Sequence, residues 1–167
     1  MAGRRSAARC YAVLALYQWQ VSGQSPDEIA SHFFDDPAWI DAVAEGLADD
    51  VDQAKTGAGV ARAYDMQLFD QLLRGVPDQL EAIDAELAPV LDRSIQRIDP
   101  VERAILRVGV YELKFSPELP PRVVINEAVD LAKLLGAEKG HRYINGVLDK
   151  VARRVRGQEL RGERPSS

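Results

Sequence analysis

The chain has 167 residues, 46% of them apolar, with one cysteine, two histidines and a net charge of −5. That length and apolar content suit one folded domain, or two small subdomains sharing a core, and exclude a disordered chain. The single Cys10 excludes an internal disulfide, no cysteine–histidine spacing suits zinc, and no apolar run approaches the roughly eighteen residues that cross a bilayer.

The first predicted helix covers about residues 6–21. Ala8, Tyr11 or Ala12, Ala15 and Trp19 share one side, with Val13, Leu16 and Gln20 beside them, so the helix is apolar over much of its circumference and should be buried. Cys10 falls on this apolar face as a packing residue. Arg4, Arg5 and Arg9 sit at and before its start, where positive charge opposes the helix dipole and favours an external anion. A basic pair before the apolar residues 10–16 echoes a secretory leader, but Arg9, Gln18 and Gln20 interrupt it and no small-residue cleavage site follows. Together with the cysteine usage this points to the cytoplasm.

Ser25, Pro26, Asp27 and Glu28 read as the cap and first turn of a short helix reaching Phe34. Asp36 and Pro37 open the next, with Trp39 or Ile40, Val43, Leu47 and Val51 on its apolar side. Thr56, Gly57, Ala58 and Gly59 then break the pattern; the Gly-x-Gly has neither a third glycine nor a preceding strand, so it reads as a loop rather than a phosphate cradle. A long helical repeat over residues 61–88 carries Tyr64, Leu68, Leu72, Val76, Leu80, Ile83 and Leu87, with Gly75 and Pro77 bending or dividing it. Pro89 ends it, and Leu91, Ile95 and Ile98 form an apolar connector.

Asp99, Pro100 and Glu102 open a further helix, because the Asp99 carboxylate can accept from first-turn amides, proline already has a helical φ and Glu102 can reach back. Val101, Ala104, Ile105, Val108 and Tyr111 make its apolar stripe, with Arg103, Arg107 and Glu112 largely off it. Prolines 117, 120 and 121 break the chain. A helix from about Arg122 buries Val124, Ala128, Leu131 or Ala132, and Leu135, and Gly136 suits its close. The last helix, from about Glu138, turns Tyr143 or Ile144, Val147, Leu148, Val151 and Val155 inward and Arg142, Lys150, Arg153, Arg154 and Arg156 outward. The fold expected is therefore all-α, a bundle of about seven helices with no sheet, in two subdomains covering residues 1–90 and 91–156, followed by a disordered tail over 157–167.

Charge is segregated along the chain. Residues 1–26 carry three basic and no acidic side chains, residues 27–99 five basic and seventeen acidic, and residues 100–167 thirteen basic and nine acidic. Because salt screens surface charge beyond about 8–10 Å, a local basic face can hold phosphates on an acidic protein. Catalysis finds no support: His32 and His141 lack ligand-like neighbours, and Glu127 with Asp130 reads as a solvated or helix-bridging pair before it reads as an acid–base pair. Arg4, Arg5 and Arg9, joined by Arg107, Arg142 and Tyr143, would make a surface for single-stranded RNA if the first helix packs against the last, guanidinium groups pairing with phosphates and an aromatic ring stacking on a base. The same residues also read as a solubilising face with Tyr143 half-buried.

The run VERAILRVGVYEL, then VVINEAVDLAKLLG, then RYINGVLDKVAR resembles the C-terminal half of the NusB family of bacterial transcription antitermination factors, and RRSAARCYAVLALYQWQ resembles that family's first helix. The resemblance implies an all-helical, non-catalytic protein, without cofactor or metal, that binds the boxA element of nascent ribosomal RNA leaders together with NusE, a ribosomal small-subunit protein, within the RNA polymerase antitermination complex. Carried over by motif position, it implies RNA contacts from Arg4, Arg5, Arg9, Tyr17, Arg107, Arg142 and Tyr143, partner contacts from Glu102 and Arg103, and structural roles for Asn126, Glu127 and Asn145. The chain departs from the family at Lys139, where an acid is common, at Tyr143, where phenylalanine is common, and in the acidic segment 24–64. Two competing classes are a homodimeric interaction scaffold without RNA binding and a small RNA-modifying enzyme or a fragment of one, since NusB-like helical domains also precede methyltransferase domains. The absence of a cofactor-binding βαβ pattern argues against the second.

Overall fold

The computed structural model describes residues 3–35, 64–135 and 140–157. The helix opened by Asp36 and Pro37, the loop at 56–59, Gly136, Lys139 and the tail beyond residue 157 lie outside them. Among the described residues there are seven α-helices and no strand: α1 (Arg4–Ser22), α2 (Pro26–Asp35), α3 (Met66–Asp78), α4 (Leu80–Leu87), α5 (Pro100–Phe115), α6 (Pro121–Leu134) and α7 (His141–Val155), with a 3-10 turn over Ile95–Arg97. The all-α expectation holds. The chain divides into two compact units, Met1–Arg74 and Gly75–Ser167.

In the first unit α1 is buried along Ala7, Ala8, Tyr11, Ala12, Val13, Ala15 and Leu16, as its nearly all-round apolar pattern requires. It ends where Gly23 takes a left-handed φ of 75° and donates its amide to the Trp19 carbonyl at 3.2 Å. Ser25 Oγ accepts from the Glu28 amide at 3.2 Å, so the serine caps α2 ahead of Pro26, and Ile29 is fully buried. Asp65 does the same for α3, accepting from the Leu68 amide at 3.0 Å. Tyr64 presents its ring edge-on to Tyr11, with centroids 5.1 Å apart, and to Phe69 at 5.7 Å, which fastens the start of α3 onto α1.

The second unit packs α5, α6 and α7 on one another, with α4 against α5 and α7. Asp99 accepts from the Val101 and Glu102 amides at 3.0 and 3.2 Å, the cap read from the sequence. Its core includes Ile83, Leu87, Ile105, Leu106, Leu113, Ile144 and Leu148, each burial contributing about 1.5–3 kcal/mol of transfer free energy. Two glycines set close approaches. A Cβ on Gly109 would lie 2.8 Å from Leu148 Cδ1, and one on Gly75 would lie 2.6 Å from the Tyr111 ring.

The division between units comes at residue 74, not at the expected 90/91. Helix α4 belongs with the C-terminal helices because Ile83 and Leu87 are fully buried, Asp84 pairs with Arg107 and Glu86 with Lys114. The break foreseen near Gly75 and Pro77 comes at Gln79, between α3 and α4.

Three side chains read as facing outward are inside. Arg107, Glu112 and Arg156 are 6%, 2% and 7% exposed. Arg156 lies just past α7 and donates to four main-chain carbonyls: Nε to Leu113 at 2.7 Å, Nη1 to Leu119 at 2.7 Å, and Nη2 to Ser116 at 2.8 Å and Glu112 at 3.2 Å. The last carbonyls of a helix have no partner within it, and a cation there also meets the negative end of the dipole. Burial of Arg156 follows from that demand. Replacing Arg156 with alanine removes four donated bonds, leaving the Glu112 carbonyl to the Ser116 amide and the Ser116 carbonyl to the Leu119 amide, and should lower unfolding free energy by about 3 kcal/mol in urea titrations. Lysine should recover only part of the loss, having no planar fork; an unchanged midpoint for Arg156→Ala would refute the assignment.

Candidate nucleic-acid interface

At the start of α1, Arg4 and Arg5 are exposed, no acidic residue lies in the first turn and no side chain caps the helix. Here the amides and both guanidinium groups present positive potential together. Asp65 tempers it: its amide donates to the Arg4 carbonyl at 3.1 Å and its carboxylate lies 3.6 Å from Arg5. With Arg5 53% exposed, that pair is weak and readily exchanged for another anion. Arg9, one turn on, is only 3% exposed, whereas Tyr17 is 37% exposed further along α1.

The second unit contributes a different arrangement around Tyr143, in the first turn of α7. The Tyr143 hydroxyl donates to Asp92 Oδ1 at 2.8 Å, and the Asp92 amide lies 3.4 Å from the same hydroxyl. Arg93 donates to both Asp92 oxygens, at 2.8 and 3.2 Å, and its Cζ stands 5.4 Å from the centroid of the Tyr143 ring. Arg93 first and Tyr143 second hold the Asp92 carboxyl down at about 2. Burial and the bond to Asp92 raise the Tyr143 hydroxyl in turn. Arg142 beside it is exposed. The extra hydroxyl that tyrosine has over phenylalanine thus ties the 91–94 loop to α7 and keeps a cation over the ring.

Arg107 does not join the exposed set. Its Nε and Nη2 reach Asp84 Oδ1 and Oδ2 at 3.1 and 3.0 Å, a bidentate ion pair formed inside the α4–α5 contact. Glu102 and Arg103 are half-buried on the first turns of α5. Burial, then neighbouring Asp99, raises the Glu102 carboxyl. Burial, then the like charge of Arg107, lowers Arg103, whose buried Nε has no hydrogen-bond partner among the described residues. Asn126 and Asn145 are exposed and Glu127 is half-buried.

Of the residues expected to meet RNA, Arg4, Arg5, Arg9 and Tyr17 belong to the first unit and Arg107, Arg142 and Tyr143 to the second. The sequence reading missed Asp92 and Arg93, which lie about fifty residues from Tyr143 and show no local spacing toward it. It also missed Asp84 and Asp65, which decide how much of Arg107 and Arg5 is available. Among the described residues no three histidine, cysteine or acidic side chains gather as a metal site, and no helix is long and apolar enough to cross a membrane.

A model of the NusB family matches residues 6–153. A transcription antitermination protein NusB of Nitrosococcus oceani is 47% identical over 161 residues, covering 96% of this chain and 93% of that one. T. maritima NusB superposes with a TM-score of 0.65 at 25% identity, covering 92% of this chain and 93% of that one. The antitermination factors NusB and NusE in complex with dsRNA give a TM-score of 0.67 at 29% identity, covering 92% of this chain and 99% of the matched one.

The Asp92 carboxyl is held below its unfolded value of 3.8, so its contribution to stability is present above that pH and lost as pH falls through about 2. Tyr143→Phe should move the Asp92 titration upward, toward 3.8, in carboxyl NMR measurements. A titration identical to that of the unaltered protein would show that the hydroxyl does not hold the loop.

Proposed function

The chain belongs to the NusB family, and from that membership we propose that it is an RNA-binding transcription antitermination factor acting by assembly rather than catalysis. In this reading it binds the boxA element of nascent ribosomal RNA leaders together with NusE, within the RNA polymerase antitermination complex in the cytoplasm. The observation that carries the reading is the match over residues 6–153, joined to a 29% identical relative held in complex with NusE and dsRNA.

Exposure sorts the residues assigned to RNA. Arg4, Arg5, Tyr17 and Arg142 are open to solvent and Tyr143 is half-buried. These are the direct contacts in the proposal, cations toward phosphates and aromatic faces toward bases. Arg9 and Arg107, buried at 3% and 6%, act from beneath, as supports of the helices that carry them. Glu102 and Arg103, adjacent and half-buried on the first turns of α5, are assigned to the protein partner by their position in the family motif.

Binding of one partner then favours the other by a coupling free energy of about 1–3 kcal/mol. Anisotropy titration of a boxA oligonucleotide, single-stranded and as a duplex, with and without NusE at two salt concentrations, tests this. NusE should tighten the single-stranded complex. Arg142→Ala should weaken it and reduce the slope of log affinity against log salt by about 1. Absence of RNA binding under all conditions, with dimers in sedimentation, would favour the homodimeric scaffold instead. Glu102→Lys should abolish NusE capture in a pull-down while leaving the melting temperature within a few degrees; normal capture would remove Glu102 from the partner surface.

A further inference from the structure

Three glycines lie inside the described helices, and two are demanded by the protein's own packing: Gly75 against Tyr111 and Gly109 against Leu148. The third, Gly146 in α7, is exposed, and a Cβ built there meets nothing within 4 Å among the described residues. Its φ is not positive either, since Gly23 is the one glycine with that conformation among the described residues. Glycine is the poorest helix former after proline, so neither backbone geometry nor a contact among the described residues accounts for its place in mid-helix.

The neighbours along the helix surface indicate what approaches. Arg142 and Lys150, one turn before and one turn after Gly146, are exposed and about 12 Å apart along the axis. Asn145 beside them is exposed too. Asp149 is ion-paired with Arg153 at 3.0 Å, which offsets the acid nearest the strip. No large apolar side chain occupies this row, so it offers a protein helix little to bury, whereas a bare stretch of backbone between two cations suits a polyanion.

Resting on the RNA-binding reading above, we infer that Gly146 floors a strip on α7, bracketed by Arg142 and Lys150, over which the sugar–phosphate backbone of the bound RNA runs in close approach to the helix. Tyr143, three residues before Gly146, borders the same strip. Its contacts are with backbone phosphates, so they position the strand and are insensitive to base identity.

Gly146→Ala, Gly146→Leu and Lys150→Ala test the strip by anisotropy with a labelled boxA oligonucleotide in the presence of NusE, alongside melting curves and NusE capture without RNA. Gly146→Ala should raise the melting temperature by about 2–4 °C while weakening RNA binding. Gly146→Leu should weaken it at least tenfold with RNA-free NusE capture intact. Lys150→Ala, which leaves the helix backbone alone, should reduce the salt slope by about 1 for matched and scrambled sequences alike. Unaltered RNA affinity in Gly146→Leu and Lys150→Ala overturns the strip while the RNA-binding reading stands. Loss of NusE capture with RNA affinity preserved overturns it too and gives the face to the protein partner. If the unaltered protein binds no RNA, the functional reading fails and the strip falls with it.

Discussion

A single guanidinium closes the C-terminal bundle. Arg156 leaves the end of α7 and supplies donors to the carbonyls that finish α5 and line the 116–119 turn. The Glu112, Leu113 and Ser116 carbonyls belong to buried residues and that of Leu119 to a half-buried one, so losing a donor there is costly. The arrangement fixes the end of α7 relative to α5, while Gly109 lets Leu148 approach α5 closely enough to interdigitate. With its end and middle so held, the face of α7 that carries Arg142, Tyr143, Gly146 and Lys150 is presented as a rigid edge.

Cations in this protein divide into two populations by the partners that packing brings to them. Arg107 and Arg156 are drawn inside because Asp84 and a set of helix-end carbonyls compensate their desolvation. Arg4, Arg5 and Arg142 keep their exposure. Arg5 has a loose carboxylate neighbour in Asp65, and Arg93 sits between the two populations, paired with Asp92 yet laid over an aromatic ring. An external anion competes easily for the exposed set and hardly at all for the buried one. On a chain acidic overall, exposed cations at the starts of α1 and α7 form local basic patches, because salt screens the more distant acids.

Glu102 and Arg103 follow a different logic. They are adjacent on α5 and each is partly desolvated without full compensation, the carboxyl raised and the guanidinium lowered. Such a pair contributes little to the stability of the free chain. Within the chain, Arg93 offsets part of that desolvation for Glu102, and Asp84 and Asp99 offset part of it for Arg103.

Helix existence, caps and class were legible in the sequence because they depend on nearest neighbours: Ser25 and Asp99 each cap the helix they precede, and the apolar repeats of Leu68, Leu72 and Val76 or of Ile144, Val147, Leu148 and Val151 mark buried stripes. The three linked motifs of the C-terminal half carried the family in the same local way. The tertiary structure alone decided which charged groups are available. Arg107, Glu112 and Arg156 looked like surface residues by periodicity, and the pattern leaves Tyr143 open between a half-buried and a base-stacking position. Their environments are set by Asp84, by the carbonyls closing α5 and by the Asp92–Arg93 loop, at sequence separations of 23 to 51 residues. Periodicity reports which side of a helix is apolar, but the ionic state and exposure of a charged side chain depend on the compensating group that folding brings beside it.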